Sequence, residues 1–301
     1  MTLEFNDKFD PAYGHAVKVA EEVRRLTVNN PGPFTFHGTN TYLAGTETLA
    51  IIDPGPDDDE HFRALLNAID GHPVSHIFVS HTHRDHSPLA ARLKAETGAI
   101  VVAEGAHRPA RQLGIGELNP LDASADSDFS PDVRLKDGEK IDGDGWSISA
   151  IETPGHTANH LAFALEGTGI LFSADHVMGW ATSIVAPPDG SMSDYMQSLE
   201  SLLHRDDAVY FPGHGARVYE PAKFVRGLKA HRKMRERAVL QRVLSGDRTI
   251  PEMVKTIYRD TDPRLHAAAG LSVLAHLEDL VSRGVVSTNG LPAIDGIYDP
   301  A

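Results

Sequence analysis

The sequence predicts an α+β protein with a small, mostly helical segment at its C-terminus. Between residues 40 and 216, short apolar runs recur that end in Gly, Pro, His or Asp, a pattern typical of β-strands followed by turns. Segments with apolar residues at helical spacing lie among these runs, and two more, near 251–257 and 264–283, follow them. The first unit therefore mixes strands with helices, and the C-terminal unit is mainly helical.

The first elements in chain order are a strand pair and a helix. We predict strands near 40–53 and a helix over 60–70. Asp57 to Glu60 lie at the start of this helix, where negative charge is stabilised by the free backbone N–H groups. A further strand at 99–103 is followed by residues 104–137, which are rich in Gly, Pro, Asp and Ser. We predict that this insertion is irregular and lies beside the functional site.

The segment 81–86, His-Thr-His-Arg-Asp-His, is the most informative of the chain. It follows a predicted strand at 74–80 and precedes a predicted helix at 88–97, so it forms a loop at the carboxyl end of a strand. Imidazole and carboxylate groups bind zinc and similar divalent ions. His81 and His83 can face one metal while Asp85 and His86 face another. The alternative interpretation is a solvated, histidine-rich turn.

Three more predicted strands end in residues that can bind metals. Runs at 146–151, 169–174 and 208–211 are followed by His156, by Asp175-His176 and by His214. Glycines beside His156 and His214 permit close approach of the backbone. Each motif alone is more typical of a surface turn, but four such strand ends in one chain indicate a shared site.

The motifs together resemble the metallo-β-lactamase superfamily. The order is His-x-His-x-Asp-His at 81–86, Thr-Pro-Gly-His at 153–156, Ser-Ala-Asp at 173–175 and Pro-Gly-His-Gly at 212–215. Segments 40–45 and 50–55 also match, and the resemblance covers about 40–216. It implies a four-layer αββα sandwich.

The resemblance also implies a set of metal ligands. His81, His83 and His156 would bind a first ion, Asp85, His86 and His214 a second, and Asp175 would bridge the two. The expected cofactors are two divalent ions per chain, with zinc first and iron or manganese as alternatives. Metal-bound hydroxide would be the nucleophile, and Asp85 would also receive or relay a proton from the attacking water.

Two features of the chain indicate which branches of the superfamily it resembles most. The chain has no cysteine, and an aspartate takes the bridging position, as in the glyoxalase II and ribonuclease Z branches. We therefore do not expect a β-lactam substrate. Segments 179–183, 194–199 and 231–237 resemble the lactamase-β-like-protein-2 subfamily, although Asn159 stands where that subfamily commonly has an acidic residue.

The subfamily resemblance implies a winged-helix-like domain after the hydrolase domain. Some members of the subfamily cleave single-stranded RNA, and related fungal proteins are thioesterases. Residues 283–286 and 290–292 would form the hairpin that is the wing.

Four further residues are weaker candidates. Asp53 is a candidate partner behind the metal ligands, or simply a turn-forming residue before Pro54. His160 and Tyr195 are candidate substrate contacts, with packed surface residues as the alternative. We expect His176 to be a structural histidine.

The charge is distributed unevenly along three predicted units. Residues 1–216, the catalytic domain, hold 14 Lys and Arg against 32 Asp and Glu, a net charge of −18. The basic linking helix, 217–248, holds 10 Lys and Arg against 3 Asp and Glu. The winged-helix-like domain, 249–301, holds 4 Lys and Arg against 7 Asp and Glu. Phosphate binding is driven by basic surface, so the catalytic domain opposes polyanions. The stretch 229–242 is either a charged, solvated helix face or a nucleic-acid patch.

These observations favour a binuclear zinc-dependent hydrolase acting on a small ester or thioester. The alternatives are a metal-dependent endoribonuclease on single-stranded RNA and a non-catalytic member that binds metal or RNA. The absence of cysteine, of an apolar N-terminal leader and of a membrane-length apolar run leads us to expect a cytoplasmic protein with no membrane partner. Nothing in the sequence predicts the oligomeric state.

Overall fold

Two β-sheets pack face to face in the computed structural model, which describes residues 3–114, 117, 119 and 122–301. Large side chains from both sheets, including Tyr42, Phe78, Phe163 and Phe172, form the core between them. Helices cover the outer face of each sheet, with separate apolar cores beneath them. The predicted four-layer αββα arrangement is confirmed.

The first sheet has seven strands in the order of the chain. Strands β1 to β4 are antiparallel neighbours, and β4 to β7 are parallel. Asp58 accepts a hydrogen bond from the backbone N–H of His61, which confirms the predicted start of α1. The elements are β1 Val17–Ala20, β2 Val23–Thr27, β3 Asn40–Ala44, β4 Leu49–Ile52, α1 Asp59–Ile69, β5 Val74–Phe78, α2 Leu89–Thr97, β6 Ile100–Ala103 and β7 Val133–Arg134.

The second sheet has six strands in the order β13-β12-β11-β10-β9-β8. Strands β9 and β11 both run antiparallel to β10, and β12 is parallel to β11, so β9, β11 and β12 end at one edge. Helices α3 and α4 pack on its outer face. The elements are β8 Lys140–Asp142, β9 Ser147–Glu152, β10 Leu161–Leu165, β11 Ile170–Ala174, α3 Met192–Leu202, β12 Val209–Pro212, β13 Val218–Tyr219 and α4 Pro221–Leu244.

The C-terminal elements are α5 Ile250–Ile257, α6 His266–Ser282, β14 Val286–Thr288 and β15 Tyr298–Pro300. The two helices are predicted correctly, but the second strand of the hairpin is not at 290–292. Tyr298 is fully buried in the core of this unit, whereas Leu291 is 56 % exposed. Burial of Tyr298 therefore fixes β15 later in the chain.

The insertion at 104–137 is less irregular than predicted. Its end forms β7, and a short 3-10 helix covers Asp122–Ser124. Residues 115, 116, 118, 120 and 121 lie outside the described residues. Arg111 donates to Glu278 of α6 at 2.8 Å and to both oxygens of Glu117, so the insertion is tied to the C-terminal unit.

Helix α4 carries the basic stretch predicted over 229–242, but one of its cations faces inward. Arg232 is 3 % exposed, donates to the carbonyl of Ser183, and its guanidinium lies 5.1 Å from the centre of the Tyr195 ring. This arginine is therefore part of the packing between α3 and α4. Lys233, one residue on, is exposed.

In the part of the chain that the structure describes, the helices are each too short or too polar to cross a membrane.

The pH dependence of folding should reflect one buried histidine of α6. Burial, followed by the nearby charges of Arg232 and other cations, lowers the pKa of His276 to about 3. The unfolded chain binds this proton below about pH 6.5 while the folded chain does not, so stability is lost as the pH falls below 6.5.

In His276→Leu, the free energy of unfolding should fall less steeply between pH 6.5 and 4, by up to about 1.4 kcal/mol per pH unit. Denaturant titrations at several pH values would measure this. His72→Gln, at an exposed position, is the control and should leave the slope unchanged. Equal slopes in His276→Leu and the unmodified protein would contradict the assignment.

Candidate metal centre

The predicted metal ligands lie where four strands end, and Asp53, the predicted supporting residue, follows a fifth strand. In the first sheet, β4 leads into Asp53 and β5 leads into the 81–86 loop. In the second sheet, β9, β11 and β12 lead into His156, Asp175 and His214. The two edges are joined by a hydrogen bond from the Asn40 N–H to the Gly213 carbonyl at 2.7 Å. All seven predicted ligands therefore meet at one edge of the sandwich.

Two glycines permit this close packing, as predicted. A Cβ atom on Gly213 would lie 2.4 Å from Asp175 Oδ1 and 2.7 Å from His86 Cε1. Gly155 has a φ of +140°, and a Cβ there would lie 2.4 Å from the Tyr195 Cα. A side chain at either position would push neighbouring backbone or ligand atoms apart.

Three imidazoles form the first group, the three-histidine cluster of His81, His83 and His156. His83 Nδ1 lies 3.0 Å from both His81 Nε2 and His156 Nε2. Burial, followed by the neighbouring imidazoles, holds the pKa of His81 well below its usual range and lowers that of His83 to about 3. These rings are therefore neutral at physiological pH.

The second group, the Asp85 cluster, contains Asp85, His86 and His214. Asp85 Oδ2 lies 3.3 Å from His86 Nε2 and 3.2 Å from His214 Nε2. The Asp85 side chain is 25 % exposed, whereas both imidazoles are buried. One carboxylate of the site is therefore open to small molecules.

Asp175 lies between the two clusters. Its Oδ2 is 3.6 Å from His156 Nε2 and 3.3 Å from His214 Nε2, and its Oδ1 is 3.5 Å from His86 Nε2. Burial opposes ionisation of Asp175, but the adjacent imidazoles outweigh it and hold its pKa well below the usual range. At His214, the carboxylates of Asp175 and Asp85 outweigh the effect of burial and raise the pKa to about 9.

Hydrogen bonds behind the rings direct the imidazole lone pairs inward. The Ser80 hydroxyl donates to Asp53 Oδ2 at 2.7 Å, so His81 Nδ1–H must donate to Ser80 Oγ at 2.9 Å. His86 Nδ1 donates to the same Asp53 oxygen at 3.0 Å. His156 and His214 donate through Nδ1 to backbone carbonyls, those of Ile184 and Gly38, at 2.6 and 3.2 Å.

This arrangement fits divalent metal ions. In four of the five rings the outer nitrogen donates to an oxygen, so the inner nitrogen is the one available to a metal. At His86 and His214, whose pKa is raised, a metal would displace the inner proton. Lone pairs that face one another at 3.0 Å repel unless a cation or proton lies between them. Oxygen and imidazole nitrogen are donors that zinc, iron and manganese accept. Three overlapping groups of these residues are close enough to hold an ion: His81, His83 and His156; His81, His86 and Asp175; and Asp85, His86 and His214.

The weaker candidates have different outcomes. Asp53 lies behind His86 and Ser80, as predicted for a supporting group. The assignment of His160 and Tyr195 as substrate contacts is wrong for this conformation, because they are 1 % and 0 % exposed. His160 packs against His81 with ring centres 5.1 Å apart, and Tyr195 belongs to the core beneath α3. His176 is fully buried, as expected for a structural histidine.

Sequence reasoning missed a second polar network beside His83. Asn159 Nδ2 donates to Thr82 Oγ1 at 2.9 Å, and Thr82 Oγ1 lies 3.1 Å from His107 Nδ1. His107 Nε2 in turn lies 3.5 Å from Asp189 Oδ1. His107 lies four residues after the predicted strand at 99–103, a signal that the sequence analysis did not use, and the Pro-Pro-Asp-Gly segment that contains Asp189 indicates only a turn.

Comparison with known proteins agrees with this geometry. Residues 34–214 match the profile described as "Metallo-beta-lactamase superfamily", and residues 249–293 match "Beta-lactamase associated winged helix domain". A beta-lactamase-like protein 2 homolog of Caenorhabditis elegans is 30% identical over 276 residues, covering 89% of this chain and 87% of that protein.

Two further comparisons are informative. An atrochrysone carboxyl ACP thioesterase of Cryptosporiopsis sp. is 27% identical over 263 residues, covering 81% of this chain and 74% of its own length. The crystal structure of a metallo-beta-lactamase family protein from Thermus thermophilus superposes with a TM-score of 0.76 at 25% identity, covering 94% of this chain and 100% of that one. The match at 249–293 bears out the predicted winged-helix domain.

The position of Asp175 predicts different effects for two adjacent substitutions. Asp175→Ala removes the carboxylate that lies between both clusters, so it should eliminate turnover and lower metal content while the fold persists. His176→Ala leaves that carboxylate in place, and it should lose stability by about 2–3 kcal/mol but keep most of its metal.

Elemental analysis, circular dichroism and thermal unfolding of both variants would measure these effects. A protein that keeps its full metal content without Asp175, or loses it without His176, would contradict the geometry.

Proposed function

Because this chain belongs to the metallo-β-lactamase superfamily, whose members are hydrolases, we propose that it is a binuclear metal-dependent hydrolase of acyl esters or thioesters. One observation carries the proposal: the inner imidazole nitrogens of five histidines and two carboxylates meet in one buried corner. His81, His83 and His156 would hold one ion, and Asp85, His86 and His214 the other. When bound, two such ions polarise a substrate oxygen and lower the pKa of a water to near neutrality.

The residues of the chain divide the remaining work. Asp175, between the two clusters, would set their spacing. Asp85 is the ligand with the greatest exposure, and its Oδ2 is already engaged by Thr39 at 3.1 Å and by the two imidazoles. Its other oxygen is therefore suited to accept the proton of the attacking water and pass it towards the leaving group. Asp53 holds His86 in the orientation that leaves Nε2 free.

The charge near the site favours an acyl substrate over a phosphate ester. Residues 141–204 contribute His156, Asp175 and helix α3, and they contain no Lys or Arg. Enzymes that bind nucleic acids neutralise several phosphates with basic side chains. With a net charge of −18 over residues 1–216, this surface would repel a polyanion before it reached the site.

An aromatic platform next to His214 supports an apolar acyl group. Phe36 and Trp180 stack with ring centres 4.7 Å apart, and both are partly exposed. A Cβ on Gly215, the residue after His214, would lie 2.9 Å from the Trp180 ring. Aromatic faces beside a polar centre are typical of sites that bind the apolar part of a substrate. The likeness to a protein named a thioesterase agrees with a thioester bond as the target.

Endoribonuclease activity remains the second candidate because the chain has a winged-helix domain. The basic stretch of α4 gives less support to RNA binding in the structure than its sequence alone indicates. Arg232 is buried against Tyr195, and Arg235 lies over the Tyr258 ring at 4.8 Å, so both cations are engaged in packing. Fewer cations are then available to bind RNA phosphates.

Metal content and activity should rise and fall together. Protein purified without chelator should carry close to two zinc-like ions per chain, and His83→Ala should lose most of one. Removal of the ions should abolish hydrolysis of an acyl thioester, and added zinc, iron or manganese should restore it. Elemental analysis with a thiol-release assay would measure both.

Active protein without bound transition metal would refute this proposal. If the loaded protein instead cleaved single-stranded RNA with a steep dependence on salt, and released no thiol, the ribonuclease would become the first candidate.

The aromatic platform should determine affinity for the acyl group. Trp180→Ala should raise KM for an aromatic acyl thioester about tenfold, since one aromatic contact contributes roughly 1.4 kcal/mol. The substitution should change kcat little, and the KM for acetyl thioesters should change least. Tyr219→Ala, an aromatic position that is 61 % exposed in strand β13, is the control. An equal effect on aromatic and acetyl substrates would show that the platform does not bind the acyl group.

A further inference from the structure

One imidazole of the metal centre lacks the partner that the other four have. His81, His86, His156 and His214 each donate their outer N–H to an oxygen. His83 points Nδ1 into the three-histidine cluster, so with a metal bound at Nδ1 the neutral ring carries its proton on Nε2. That nitrogen is buried and has no hydrogen-bond partner among the described residues. A buried donor without an acceptor is unfavourable, so something is needed opposite it.

A buried acceptor without a donor lies in the same region. Asp189 is fully buried, and its Oδ1 accepts from Asn119 Nδ2 at 2.8 Å and faces His107 Nε2 at 3.5 Å. Within the described part of the chain, its Oδ2 is buried without a partner. Burial opposes ionisation of Asp189, but His107, Asn119 and His83 together lower its pKa. Asp189 is therefore a buried carboxylate beside His107 with one oxygen unpaired within the described residues.

The turn that carries Asp189 is held on two sides. A Cβ on Gly190 would lie 2.6 Å from the Gly155 carbonyl oxygen and 2.8 Å from that of His156, so the turn packs directly on the His156 loop. On the other side, the Ala110 N–H donates to the Pro188 carbonyl at 2.8 Å. These contacts fix the turn that carries Asp189 against the loop of His156, one member of the three-histidine cluster.

The neighbouring network leaves only one Asp189 oxygen available. Thr82 accepts from Asn159, so its own proton is free to point to His107 Nδ1. His107 then carries its proton on Nε2, which faces Asp189 Oδ1. Oδ1 thus accepts a hydrogen bond from Asn119 and faces His107 Nε2 at 3.5 Å. Asp189 Oδ2 has no hydrogen-bond partner among the described residues.

We propose that Asp189 is a positioning residue that accepts a hydrogen bond from His83 Nε2–H through one bridging water, and so orients His83 towards the metal. The inference rests on the proposed metal centre. A direct bond does not join the two atoms, and a buried water commonly links polar groups in this situation. Because Asp189 is fully buried, a direct substrate contact does not explain it.

Asp189→Asn is the decisive variant. The amide oxygen can still accept from Asn119 and His107, but an NH2 group replaces Oδ2 and cannot accept the His83 proton. The affinity of one of the two metal sites should fall about 10- to 100-fold, while the other keeps its affinity. Titration of zinc into metal-free protein against a chromogenic chelator would resolve the two sites. Asp206→Asn, an exposed carboxylate between α3 and β12, is the matched control and should bind as tightly as the unmodified protein.

A second readout needs no variant at Asp189. In zinc-loaded protein labelled with nitrogen-15, the His83 Nε2–H should exchange slowly with solvent, and His107→Gln should accelerate that exchange and weaken the same metal site less than Asp189→Asn does. This keeps the inference testable if Asp189→Asn does not fold.

The outcomes separate this inference from the proposed function. If the unmodified protein binds no transition metal, the proposed metal centre fails. If it binds two ions and His83→Ala loses one, but Asp189→Asn binds as tightly as the control, the role of Asp189 is refuted. Rapid exchange of the His83 proton in the loaded protein would refute it as well.

Discussion

The direction of each imidazole proton is the constraint on which the metal centre depends. Five rings meet in one buried corner, and they can present lone pairs to a metal only if their protons are held on the outside. Asp53 meets this need for two of them, since it binds His86 directly and reaches His81 through the Ser80 hydroxyl. It stands at the end of β4 with a φ of +51°, a conformation uncommon outside glycine. Such strain is typical of positions that order a functional site.

The distribution of charge along the chain bears on the proposed substrate. The two carboxylates would balance the cations they are suited to hold, and residues 141–204, which contribute His156 and Asp175, contain acidic residues but no lysine or arginine. The proposed acyl substrate would therefore bind through its apolar part and its carbonyl group, with little contribution from ion pairs. The Phe36–Trp180 stack provides apolar surface next to His214.

Candidate ligands could be recognised in the sequence because each lies within a few residues of a strand end marked by Gly, Pro or a β-branched run, whereas their division between two ions came from the family resemblance. The family resemblance then supplied the sandwich. Elements without local signals were not predicted. Strand β2 carries two arginines, and β10 is built mainly from alanine and leucine, so neither shows strand-like alternation.

Burial depends on contacts between distant parts of the chain, which explains the errors at Tyr195 and His160. A tyrosine on an amphipathic helix can face either the core or the solvent, and the close approach of Gly155 to its backbone decides the matter. Asp189 and His107 are 82 residues apart, and only the folded chain brings them together.

Helix α6 belongs to two cores at once. Ala275 packs with the residues beneath α3 and α4, while Leu274 and Leu277 pack in the C-terminal core, and Glu278 holds Arg111 of the insertion. The winged-helix unit is therefore not an appendage joined by a linker. Melting one unit would expose apolar surface of the other, so heat capacity measurements should record a single cooperative transition for the whole chain. Excising residues 249–301 would leave an open face on the hydrolase unit that favours aggregation.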